Sequence, residues 1–148
     1  MPSIVPSYVY TLFASMIVGA LLIYSFNVST TSIKAEAEQQ RLGNLAKYVA
    51  VKCIELLSST TIENLSTTLG LDIPSSVGNQ RYWIQLQNDS SVAWVEIGYG
   101  TTPFPTDQRV LIPAKAYNSG EYVSGSGIAI LECHSNSSGI YLRIAGGT

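Results

Sequence analysis

The residues able to do chemistry in this chain are few. A single histidine, His134, follows Glu132 and Cys133. Three consecutive residues do not make a zinc site, which needs three or four ligands converging on one point. His134 therefore reads as a loop histidine beside a cysteine. The seven Glu and three Asp are scattered. No helical pair of them sets two carboxylates on an apolar face. No nucleophile elbow, phosphate-binding loop or dinucleotide fingerprint is present. Ser124-Gly-Ser-Gly127 reads as a flexible turn. The expectation is a protein that is not an enzyme and uses no cofactor. Lys and Arg total 8 against 10 Asp and Glu, for a net charge of −2. No basic block marks a nucleic-acid partner.

Two residue types point to covalent modification instead. Cys53 and Cys133 are the only cysteines, and an even count in an exported chain predicts a disulfide. Such a bridge would close a loop of about 80 residues and contribute roughly 4–5 kcal/mol on the chain-entropy model. Four N-x-Ser/Thr sequons begin at Asn27, Asn64, Asn88 and Asn136, which predicts a glycosylated extracellular surface. Asn27 is the least suited acceptor, because it closes an apolar run.

That run is the element on which everything else depends. Met1 to Ile33 contains no charged residue, and Tyr8–Phe26 (YVYTLFASMIVGALLIYSF) is almost wholly apolar. As a helix it spans roughly 28 Å, about the hydrocarbon thickness of a bilayer. Tyr8, Tyr10 and Tyr24 bracket it as interfacial tyrosines do. Beyond Ile33 the pattern turns periodic. Leu42, Leu45, Ala46, Val49, Cys53, Leu56 and Leu57 form one stripe, with Lys34, Glu38, Arg41, Lys47 and Lys52 mostly off it. Glu38 and Arg41, three apart, can pair on the surface. One helix is predicted over residues 1–58, apolar all round in its first half and amphipathic in its second. Asn27–Ser32 (NVSTTS) is its weak point, where it is expected to kink or melt.

Residues 59–79 read as a connector, with a short helical turn beginning at Thr61–Asn64 and breaks at Gly70, Pro74 and Gly78. From Arg81 the period is two: Tyr82, Ile84 and Leu86 alternate with Trp83, Gln85 and Gln87, and Ala93, Val95 and Ile97 with Trp94 and Glu96. Strands are also predicted at Val110–Ile112, Gly127–Cys133 and Gly139–Ala145. Residues 80–148 thus form a globular β-domain, a small antiparallel sandwich or open barrel. The fold class is α+β. Trp83, Trp94, Tyr99 and Phe104 suit core or inter-subunit contacts, or a sugar-binding platform.

A lipid anchor needs about 20 apolar residues and no striped extension. The extra stripe must be buried against something, and neighbouring helices are expected to cover what the small sheet leaves. Transfer of the first segment from bilayer to helix bundle exchanges one apolar surrounding for another, so packing decides. The residues expected to pack there are Tyr10, Phe13, Ala14, Ile17, Gly19, Ala20, Leu21 and Tyr24.

This layout resembles the archaeal type IV pilin superfamily of adhesive pilins and archaellum filament proteins. The resemblance is carried by the uncharged apolar segment, its helical continuation through Lys34–Ser58, and the Ser/Thr/Gly-rich β-domain ending at Thr148. It implies a homopolymer with helices bundled in the filament core and glycosylated β-domains outside. It also implies membrane insertion before assembly, a pilus assembly machinery, and an extracellular surface ligand. Two departures stand out: Val5 occupies the position where bacterial pilins carry an acidic residue, and no basic leader precedes the span. Lys34, Arg41, Lys47 and Lys52 all follow the span, which by itself predicts a cytoplasmic β-domain. The sequons and cysteines predict the opposite, and removal of a basic leader reconciles them. The alternative is a membrane-anchored extracytoplasmic binding module, such as a stator-like protein of the archaellum contacting the surface layer.

Overall fold

The structure, a computed structural model, describes residues 4–60, 65–89, 91–106, 108–113 and 116–147. It forms two compact units, Met1–Ala37 and Glu38–Thr148. The fold is α+β: among the described residues one long helix, α1 (Ile4–Ser59), precedes eight strands.

In the first unit, α1 runs unbroken through Asn27–Ser32, where a kink or melted turn was expected. Thr30 Oγ1 donates to the Phe26 carbonyl at 2.8 Å and Thr31 Oγ1 to that of Asn27 at 2.9 Å. The hydroxyls that favour caps elsewhere are thus satisfied inside the helix by bonding back one turn. At the other end of α1, Ser58, Ser59 and Thr60 donate their hydroxyls to the carbonyls of Glu55 and Leu56. Those hydroxyls bond back into the last turn, as Thr30 and Thr31 do earlier in α1.

The second unit contains the amphipathic half of α1 and the strands β1 (Ser66–Leu71), β2 (Tyr82–Asn88), β3 (Ala93–Tyr99), β4 (Arg109–Ile112), β5 (Tyr117–Ser119), β6 (Glu121–Val123), β7 (Ile128–Asn136) and β8 (Gly139–Gly147). They make two four-stranded sheets, ordered β1-β7-β8-β5 and β4-β3-β2-β6. All pairings are antiparallel except β5 with β8. β1 lies inside the segment read as a connector; its STTLGL sequence gives too weak an alternation to announce a strand. The helical turn expected from Thr61 falls outside the described residues.

One core unites the helix stripe with the inner faces of both sheets: Leu42, Ala46, Val49, Cys53, Leu56 and Leu57 from α1, with Ile84, Val95, Leu131 and Leu142 among the strand residues. The second half of α1 therefore belongs to the globular unit, which starts at Glu38 rather than at residue 80. Glu38 does not serve a surface pair with Arg41. Its carboxylate lies against Gly78, where a Cβ would collide with it. The helix pair that does form is Lys52–Glu55, 2.7 Å apart.

The chain changes sheets at Gly120. β5 lies in the first sheet and β6 in the second, with only Gly120 between them at φ +97°. A side chain there would strike the Ile144 carbonyl oxygen. The Gly120 carbonyl in turn accepts from Leu86 N–H at 3.1 Å.

Candidate functional site: the apolar helix and the cysteine pair

From Tyr8 to Ala37 the described side chains are exposed, except that Gly19 is half-buried. Tyr10, Phe13, Ile17, Leu21 and Tyr24 are each 59–75% exposed. At 3.6 residues per turn these five and Ala14 gather on one side, Ala20 sits at its edge, and Gly19 faces the opposite way. The eight residues expected to pack together thus do not share one face. The apolar surface runs around the whole cylinder, so this segment requires an apolar surrounding on every side. The helix is long and apolar enough to cross a membrane. Ser15 Oγ donates to the Leu12 carbonyl at 2.8 Å. With Thr30 and Thr31 bonded in the same way, these hydroxyls need no partner outside the helix, which suits lipid or a helix bundle alike.

Cys53, on the α1 stripe, and Cys133, on β7, are both fully buried in the core. The expected bridge is not formed: both are free thiols. Burial, and then the neighbouring Cys133, push the Cys53 thiol up to about 12. A thiol held protonated in this way is a poor nucleophile, and its contribution here is packing. The strand period separates the Glu132-Cys133-His134 trio. Cys133 points into the core, whereas His134 is exposed on the other face opposite Tyr141. Among the described residues no group of three or more His, Cys, Asp or Glu is placed to hold a metal ion.

The sequons differ in what their side chains do. Asn27 is exposed on α1. Asn88, at the end of β2, accepts from Asn118 N–H through Oδ1 at 3.1 Å and donates to the Asp89 carbonyl through Nδ2. Its amide is therefore committed at both ends. Asn136 accepts from Ser138 and Gly139 N–H at the β7–β8 turn, both through Oδ1, which leaves Nδ2 out of either bond. Asn64 lies outside the described residues. Of the described sequons of the globular unit, Asn136 is the one whose Nδ2 is not committed to a backbone carbonyl.

Sequence reasoning missed one polar residue. Glu96, on β3, is only 4% exposed. Its position in the alternating run Trp94–Glu96–Gly98 was the available signal. It marks an outward row with a carboxylate in it, and a covering loop then buries that carboxylate. Comparison with protein-family models, with curated proteins and with solved structures finds no match.

Proposed function

We propose that this chain is a structural subunit of an extracellular filament of the archaeal type IV pilus kind. The first helical segments bundle with those of other copies to form the filament core, and the globular units face the medium and mediate adhesion. One observation carries this reading: an apolar helix exposed all round, continuous with a helix half whose stripe is already buried in a folded unit. In a polymer of stacked subunits the first segment lies among its copies and leaves the globular unit free to face the medium. Before assembly the same segment resides in the membrane, its apolar length matching the bilayer core.

Negative-stain microscopy of material sheared from the cell surface is the test. Filaments containing this chain are expected. A chain that stays with the membrane fraction and is released only by detergent, with no polymeric form, would favour the anchored binding module instead.

A further inference from the structure

The outer face of the second sheet carries a row of polar side chains that neither the core nor the helix uses. The registers place Glu121 of β6 opposite Gln85 of β2, Gln85 opposite Glu96 of β3, and Glu96 opposite Arg109 of β4. The row thus crosses all four strands, a distance of about 14 Å. It forms the floor of a groove of about 760 Å³, whose rim is the Thr101–Pro105 segment.

The row is organised. Glu96 Oε1 accepts from Thr106 N–H at 3.1 Å and stands 3.9 Å from Arg109 Nε. Arg109 in turn lies over the Trp94 ring at 5.8 Å. Gln87 Nε2 donates to Gln85 Oε1 at 2.9 Å. That bond fixes both amides and leaves Gln85 Nε2 as donor and Gln87 Oε1 as acceptor outside it. At the rim, Phe104 is held edge-on against Trp83, with centroids 5.8 Å apart, yet stays 56% exposed. A large aromatic ring fixed by a buried partner while its own surface faces the groove is a ready contact for an apolar ligand face.

We propose that this groove binds a short neutral oligosaccharide over Glu121, Gln85, Gln87 and Arg109, with the buried Glu96 holding Arg109 in place beneath and one sugar ring against Phe104. A sugar hydroxyl both donates and accepts, which suits fixed amides set between carboxylates and a guanidinium. The C–H face of a pyranose suits the phenyl ring. Two carboxylates against one guanidinium, itself engaged by Glu96, disfavour an anionic ligand. An added peptide strand would use a sheet edge, whereas this groove lies across the face. The proposal goes beyond filament assembly and does not depend on it.

The test uses the full-length protein, both as filaments and solubilised in detergent, so a failure here is distinguishable from a failure to assemble. Tryptophan fluorescence, reporting on Trp94 and Trp83, is titrated with the neutral trimers maltotriose, cellotriose, mannotriose and tri-N-acetylchitotriose, and with trigalacturonate as the charged control. At least one neutral trimer is expected to bind saturably with a Kd of about 1 mM or tighter. Phe104→Ala and Gln85→Ala should each weaken that binding about tenfold with unchanged thermal unfolding. Should Gln85→Ala disturb folding, Gln85→Asn takes its place. Failure of every neutral trimer to saturate, unchanged affinity in folded variants, or binding confined to trigalacturonate would overturn the proposal.

Discussion

The Trp83 indole lies across Gly98, its register partner on β3: a Cβ at Gly98 would stand 2.6 Å from Trp83 Cζ2. Trp83 is fully buried although it points away from the main core. Gly98 beneath it and Phe104 beside it make a second, smaller packing centre under the rim of the groove. Gly98→Ala forces the ring to move. We expect a loss of about 1–3 kcal/mol in stability, read as a lower urea midpoint, as for other overpacked sites. A midpoint equal to that of the parent would mean that the indole has room to shift.

A substitution at Gly120 acts through the backbone. The residue needs its positive φ to carry the chain from one sheet to the other, and the Ile144 carbonyl occupies the space of a side chain. Gly120→Ala should cost more than about 1 kcal/mol. Amide exchange at Leu86, whose N–H is bonded to the Gly120 carbonyl, should accelerate. Unchanged protection of Leu86 would count against this account of the crossover.

The two buried thiols make a labelling prediction. At pH 8 iodoacetamide should leave the native protein unmodified and add two groups after unfolding without reductant, as read by intact mass. Unfolded protein that takes up label only once reductant is present would establish a bridge between Cys53 and Cys133.

The same thiol gives stability a pH dependence. Cys53 titrates near its ordinary 9.0 when unfolded and at about 12 when folded, so above pH 9 the folded state holds the extra proton. Its contribution is therefore complete below pH 9 and is lost as pH rises toward 12. Burial shifts the phenols of Tyr82 and Tyr99 in the same direction. Urea midpoints should fall between pH 8 and pH 10.5, and Cys53→Ala should fall less steeply. Parallel pH profiles in the two proteins would remove Cys53 as a cause.

For the helix, Val18→Glu places a carboxylate in the middle of the apolar segment. A charge at the centre of a membrane helix costs about 2.5–3.5 kcal/mol on insertion scales, and an apolar bundle is no more forgiving. We expect loss of filaments while the globular unit keeps its thermal unfolding. Normal filaments from this variant would argue against burial of the segment.

Much of this was visible in the residues themselves. The 3.6 period of Leu42, Ala46, Val49, Cys53 and Leu57 announced the buried stripe, and the period of two in Tyr82–Gln87 announced β2. β1 was hidden because STTLGL carries few apolar side chains and owes its strand state to pairing with β7. The weak point at Asn27–Ser32 was misjudged because hydroxyls that can cap a helix can equally bond back into it.

Local pattern alone therefore determined the long helix, its change from uniformly apolar to striped, and the alternation of the strands, because each depends only on spacing along the chain. Which strands pair, the sheet change at Gly120, the free thiols meeting in the core and the row from Glu121 to Arg109 were settled by three-dimensional packing. Those features join residues far apart in the chain, and no property of either partner alone specifies the other.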